Sequence, residues 1–204
     1  LLHRPASIAE AVKLRAEAAD SRYLAGGTDM VVNIRRGIEQ PRTLVDLTAI
    51  AELGAIEADG EGLTIGAAVT LDTLARNEVV RRDYAAVAEA AGAVAGPTHR
   101  RYGTVGGNLC LDTRCLYYNQ SEWWRRANAY CLKNAGETCH VAPGGKFCFA
   151  AFSGDVAPAM LVHDAEVEIA GTDGTRRIPL AGLYRDDGMD HLTLAADEIV
   201  TGIY

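Results

Sequence analysis

The sequence predicts an α+β fold in two lobes, a small one over residues 1–53 and a larger one over residues 54–204. Three observations lead there. Helix-type and strand-type apolar spacings alternate along the chain, two glycine-bearing turns separate strand-like runs, and neither lobe repeats the other. The composition fits a folded chain: 49% of the 204 residues are hydrophobic and 23% are charged, unlike a disordered segment.

The elements follow in order. Ser7 and Glu10 form a capping box, with Ile8, Ala11, Val12 and Ala18 at helical spacing behind it, so the first element is predicted to be a helix. RYLA reads as a short buried strand. GGTDMVVNIRRG reads as a loop entering a helix that stops near Gly37, and TLVDL as a second strand. AIEADGEGLTIGAAV is read as two strands about a turn at DGEG. Helices are expected at TLDTLARN and, from its alanine content, over RDYAAVAEAAGAV. AEVEIAGTDGTRRIPL is a hairpin with Asp173 and Gly174 in the turn, and EIVTGIY ends on a strand-like pattern.

The net charge of -7 argues against a nucleic-acid surface, which needs a basic face. No apolar run is long enough to span a bilayer, and LLHRPASIAEAVKL carries too much charge for a signal peptide. A cytoplasmic location is expected. The missing initiator Met and the strand-like end read as a piece of a longer protein.

LAGGTDM places two glycines between a strand and a helix, with Thr28 set to cap that helix. Free amides at such a point attract phosphate. YGTVGGNLC repeats the ingredients with Thr104, Gly106, Gly107 and Asn108. Two such loops suit the two phosphates of one dinucleotide, or they are two unrelated turns. Neither matches the three-glycine Rossmann fingerprint.

The five cysteines are Cys110, Cys115, Cys131, Cys139 and Cys148. Their odd number, without a secretory signal, disfavours a disulfide scaffold. The intervening residues lack the periodicity of a core element, so a long loop there needs something to order it. Spacing leaves three readings open: an iron–sulfur cluster, which tolerates wide gaps; zinc, with His140 as a nitrogen ligand, although a tight Cys pair is absent; and structural or free thiols.

LAGGTDM, GPTHRRYGTVGGNLC and SGDVAPAML together resemble the flavoprotein subunits of the xanthine oxidase family of molybdenum hydroxylases, over essentially the whole chain. That resemblance implies a two-lobed FAD-binding domain of the PCMH/CO dehydrogenase flavoprotein type, with FAD lying between a small α/β lobe and a larger lobe built on a mainly antiparallel sheet. A further C-terminal domain of the family falls beyond Tyr204. The insert at 111–152, with DTRCLYYNQSEWW and CLKNAGETCHV, is similar to the extra segment of the beta subunits of 4-hydroxybenzoyl-CoA reductases. There it carries a [4Fe-4S] cluster, held by cysteines matching Cys115, Cys131, Cys139 and Cys148.

Carried over residue by residue, the resemblance implies FAD contacts at Leu24, Ala25, Gly26, Gly27, Thr28, Asp29, Met30 and Val31, and at Thr104, Val105, Gly106, Gly107 and Asn108. Asp155 matches a family aspartate that hydrogen-bonds the cofactor, and Val94 an apolar residue touching the flavin. Cys110 is expected to be a buried small hydrophobe near the flavin loop. Arg114, Arg125, Arg126, Lys133 and Lys146 read individually as solvated surface charges. Trp123 and Trp124 are expected to pack the insert, and His140 to be a hydrogen-bonding neighbour of a ligand. No catalytic residue is implied in this chain. The implied partners are a molybdenum-cofactor large subunit, a [2Fe-2S] small subunit and a low-potential donor such as ferredoxin. Electrons would run inward for reductive dehydroxylation of 4-hydroxybenzoyl-CoA; the alternatives are an ordinary hydroxylase running electrons outward, and a zinc-folded docking module.

Overall fold

A computed structural model describes residues 1–60 and 62–204. It places two sheets in the chain. Helix α1 spans Ile8–Glu17, and the Ser7 hydroxyl at its start accepts the Glu10 amide at 3.2 Å. The Glu10 carboxylate reaches back to the Ala6 amide at 2.8 Å, one residue before the cap. The helix closes before Ala18. It is not the first element: strand β1, Leu2–His3, precedes it, too short to show an alternation in sequence. β2 (Ser21–Leu24), α2 (Met30–Arg35) and β3 (Thr43–Asp46) follow as expected. The three strands form a parallel sheet in the order β1-β3-β2.

The second sheet is antiparallel, in the order β4-β5-β8-β6-β7. Its members are β4 (Ile56–Ala58), β5 (Leu63–Gly66), β6 (Glu166–Gly171), β7 (Gly174–Pro179) and β8 (Ile199–Ile203). The predicted DGEG turn falls partly on Glu61, outside the described residues. In the β6–β7 hairpin Gly171 pairs with Gly174, which leaves Thr172 and Asp173 in the turn and makes Gly174 the first strand residue. β8 lies between β5 and β6, and all five of its residues are buried.

Short helices cover this sheet: α3 (Leu71–Arg76), α4 (Glu78–Asp83), α5 (Ala85–Ala93), α6 (Pro97–Arg100), α7 (Val105–Leu109) and, beyond the cysteine insert, α9 (Val156–Leu161). The single helix predicted over RDYAAVAEAAGAV is two, because Tyr84 takes a non-helical conformation (φ -130°, ψ 48°) between α4 and α5. Leu74, Val80, Ala91, Val105, Val156, Val167 and Ile169 form the centre of the main core. A second core joins Ala11, Val12, Val45, Ile50 and Leu53 to Ala170 and Ile199 of the larger sheet, and the Tyr23 hydroxyl donates to the Asp197 carbonyl at 2.7 Å. The two sheets therefore share apolar contacts. Among the described residues no helix is long and apolar enough to cross a membrane.

The insert leaves and rejoins this body at one point. Arg114 and Ala151 exchange backbone hydrogen bonds of 2.7 and 2.9 Å, and the only regular element between them among the described residues is α8, Glu122–Ala127. At the root, the His191 ring nitrogen Nε2 bonds the Leu111 carbonyl at 2.9 Å. Burial holds this imidazole below its ordinary pKa, against the pull of Asp112 and the Leu111 carbonyl. The unfolded chain then takes the proton first as pH falls through about 6.5, so stability is lost below that pH. His191→Gln is expected to show a smaller drop in melting temperature between pH 7 and pH 5 than the parent; an equal drop would remove His191 from the acid response.

Candidate dinucleotide cleft and cysteine insert

The two glycine loops meet at a cleft of about 400 Å³. Ala25, Gly26, Gly27, Thr28, Asp29 and Met30 line it from the first loop, and Thr104, Gly106, Gly107 and Asn108 from the second, with Val94 beside them. The contact between loops is made by backbone. A Cβ on Gly26 would lie 1.7 Å from the Tyr102 carbonyl oxygen; Gly106 instead approaches Ala67, outside the first loop, where an added Cβ would lie 2.8 Å from Ala67 Cβ. Glycine is thus required for the close approach, and Gly27 also holds φ at +70°.

The loops differ in what they offer a ligand. In the second, the amides of Val105 and Gly106 donate to Val69 and Ala67 carbonyls, and Asn108 to the Thr104 carbonyl. The Gly107 amide donates to the Thr104 hydroxyl at 3.1 Å, the cap expected of that Thr. In the first loop, the amides of Gly26, Gly27, Thr28 and Asp29 have no protein acceptor among the described residues. Thr28 does not cap α2; the capping position belongs to Asp29, whose side chain makes no cap bond and instead accepts Asn33 Nδ2 at 2.9 Å and the Arg114 guanidinium.

Four predicted contacts do not line the cleft. Leu24 ends β2, Val31 is exposed on α2, and Val105 is wholly buried in the main core. Asp155 is exposed at the start of α9 and its side chain caps nothing. The SGDVAP segment is tied to the second loop by another route: the Asn108 side chain accepts the Val156 amide at 3.0 Å. Conversely, Tyr23, His99, Arg114, Leu194 and Glu198 line the cleft without having been singled out for it. Only Arg114 carried a signal, a cation in the DTRC run between the second loop and the cysteines. The Glu198 carboxylate is held by Arg176 through two bonds of 2.9 Å, which keeps it ionised below the ordinary range. Cys110 borders the cleft apart from the other thiols, and burial pushes its pKa up to about 12, an unreactive position.

Cys115, Cys131, Cys139 and Cys148 line one small cavity of about 10 Å³, together with Tyr117, Tyr118, Lys133 and His140. Among the described residues no three His, Cys, Asp or Glu side chains converge tightly enough to hold a single metal ion. Burial pushes the Cys139 thiol up, but backbone amides of Ala142, Phe149 and Val141 outweigh it and bring the thiol below its usual value. Ala150 donates to Cys148 Sγ at 3.5 Å. His140 lines the same cavity, but its Nε2 bonds the Tyr130 carbonyl at 2.5 Å and not a thiol.

The basic residues are not all solvated. The Arg125 side chain is 1% exposed, and bonds Gln120 O, Arg36 O, Gly37 O, Glu122 and Asn134. Lys133 is 6% exposed, lies against the Tyr118 ring, and bonds Asp112 at 2.6 Å, Thr113, and the Gly188 carbonyl. Both are buried because backbone carbonyls and a carboxylate satisfy their donors. Arg126 and Lys146 are exposed as expected. Trp124 rests against Tyr117, while Trp123 is largely exposed and packs little.

Residues 2–204 match the protein family described as FAD binding domain in molybdopterin dehydrogenase. The chain is 29% identical over 203 residues to the xanthine dehydrogenase FAD-binding subunit of Escherichia coli O157:H7, covering 99% of this chain and 56% of that one. It is 36% identical over 187 residues to the aldehyde oxidoreductase FAD-binding subunit PaoB of Escherichia coli K12, with 88% and 58% covered. The fold superposes on reconstituted CO dehydrogenase from Oligotropha carboxidovorans with a TM-score of 0.73 at 26% identity, over 99% of this chain and 57% of that one. The chain thus spans somewhat more than half the length of these relatives. With its two glycine loops on one cleft and its antiparallel sheet behind them, it belongs to the FAD-binding domains of the xanthine oxidase family of molybdenum hydroxylases.

Proposed function

We propose that the chain is the FAD- and [4Fe-4S]-bearing electron-transfer part of a molybdenum enzyme whose substrate site is on another subunit, working in the cytoplasm. The observation that carries the flavin half is the meeting of both glycine loops at one cleft, with amides at Gly26, Gly27, Thr28 and Asp29 that have no acceptor among the described residues. These residues and Ala25 and Met30 would hold the dinucleotide, Thr104, Gly106, Gly107 and Asn108 would wall it, and Val94 would meet the flavin. The cluster half rests on the four cysteines sharing one cavity. Four thiolates suit a cluster whose irons are spread over a cubane better than one ion. The cavity is smaller than a cubane, so holding one requires the cysteine loops to separate. Ala129, Tyr130 and Ala135 take left-handed conformations around Cys131, each at about 1–3 kcal/mol, a strain that suits a segment organised around a bound group.

A flavin exchanges one or two electrons and an iron–sulfur cluster one, so the pair of cofactors matches two-electron to one-electron traffic. The partners in this reading are a molybdenum-cofactor large subunit and a [2Fe-2S] small subunit. Direction has two versions. The similarity to xanthine dehydrogenase and aldehyde oxidoreductase subunits favours electrons running outward from an oxidised substrate. The insert's likeness to 4-hydroxybenzoyl-CoA reductases favours electrons running inward from a ferredoxin-type donor to an aromatic acyl-CoA.

Anaerobic iron, acid-labile sulfide and flavin analysis of the purified complex tests the cofactor reading. In the chain's share of the total, one FAD and one four-iron, four-sulfide cluster are expected, the cluster lost in Cys131→Ser. Zinc without additional sulfide would overturn the cluster half, and absence of flavin the other. Reduction of the flavin by an aldehyde or purine supports the outward version; reduction only by ferredoxin supports the inward one.

A further inference from the structure

The insert lends the cleft a side chain. Among the described residues Arg114 is the only Lys or Arg bordering the cleft, and its backbone is pinned by the two-way bridge to Ala151 that closes the neck of the insert. Two carboxylates, Asp29 and Glu198, border the same space. A dinucleotide diphosphate entering it would meet like charge unless a cation lay there. The guanidinium bonds Asp29 through Nη2, its Nε and Nη1 hydrogens have no protein acceptor among the described residues, and the side chain is 32% exposed. Backbone donors are scarce on one side, because the second loop's amides at Val105, Gly106, Gly107 and Asn108 are already used within the protein, which leaves only that of Thr104 without an acceptor among the described residues.

We propose that Arg114 binds the diphosphate of FAD, so that the insert completes the flavin site as well as carrying the cysteines. The inference rests on the FAD reading above. A planar guanidinium presents several N–H donors to phosphate oxygens, and its charge offsets Asp29 and one phosphate together. In this arrangement the Asp29 pair orients Arg114 and does not consume it.

The test is FAD and ADP affinity of the complete complex after removal of its native flavin, read by flavin fluorescence and by ADP competition at several salt concentrations. Arg114→Gln is expected to weaken both ligands by about tenfold or more and to flatten the salt dependence. Arg114→Lys, which keeps the charge and loses the fork, is expected to fall between, and it carries the test if Arg114→Gln does not fold. Riboflavin, which lacks the diphosphate, separates a binding role from a structural one: its affinity is expected to be unchanged in Arg114→Gln while FAD and ADP weaken. Unchanged FAD and ADP affinity in both Arg114 variants, or a loss of riboflavin affinity in Arg114→Gln equal to the loss of FAD affinity, overturns the proposal. Failure of the parent complex to rebind FAD would instead overturn the reading beneath it.

Discussion

Gly26→Ala is expected to be the most damaging single change in the first loop, lowering the melting temperature by roughly 10 °C and abolishing flavin retention. The added Cβ would sit 1.7 Å from the Tyr102 carbonyl oxygen and 2.3 Å from its carbon. Both are backbone atoms, so no rotamer change relieves the overlap, and the loop must move away from the 102–103 turn by more than an ångström. Such a clash belongs with the severe class of substitutions, above about 4 kcal/mol. It acts on the site directly, since Gly26 borders the cleft and carries one of its open amides. Gly144→Ala is the control. Gly144 has φ +88° and nothing within 4 Å of its Cβ position, so it carries a conformational cost of about 1–2 kcal/mol and no clash. Thermal melts with bound-FAD measurement compare the two; a Gly26→Ala protein that melts like Gly144→Ala would mean the two loops do not touch as described.

The second large effect is expected at Arg125. Truncation to alanine removes a buried guanidinium that bonds Gln120 O at 2.5 Å, Gly37 O at 3.1 Å, Arg36 O at 3.3 Å, Glu122 at 2.8 Å and Asn134 at 3.1 Å. Loss of this guanidinium costs about 1–3 kcal/mol for each buried acceptor left unpaired. The Arg36 and Gly37 carbonyls close α2, the helix that begins from the first glycine loop, while Arg114 holds Asp29 at its other end. The insert therefore grips α2 before its first turn and after its last. In Arg125→Ala, hydrogen exchange is expected to rise both over 111–152 and over 26–37. Exposed Arg126→Ala should leave both unchanged. Faster exchange confined to the insert would show that the grip on α2 is not carried by Arg125. Lysine is a poor replacement, since one ammonium cannot span five acceptors.

Much of the fold was legible because its signals are local. Ser7, with Glu10 three residues on, marks the start of α1 through bonds made within one turn. The Asp173-Gly174 pair marks the β6–β7 hairpin in the same way, although the turn itself falls one residue earlier, at Thr172 and Asp173. The failures are equally local: β1 has two residues, too few for a pattern, and the break at Tyr84 occurs inside a run of good helix formers. The charges of the insert could not be judged from their neighbours. Arg125 and Arg126 are adjacent, yet one is buried and the other solvated, because only the first meets the end of α2.

The sequence by itself determined the α+β class, both glycine loops and the grouping of four thiols in one segment, since each depends on residue type and short-range spacing. The tertiary structure decided which loop keeps more open amides, that Asp155 and Val105 stay out of the cleft while Arg114 enters it, and that the insert braces the helix that follows the first glycine loop. Those outcomes depend on contacts between residues about 85 positions apart, such as Asp29 with Arg114. Packing and the satisfaction of buried donors set such contacts, and neither leaves a periodic trace in the chain.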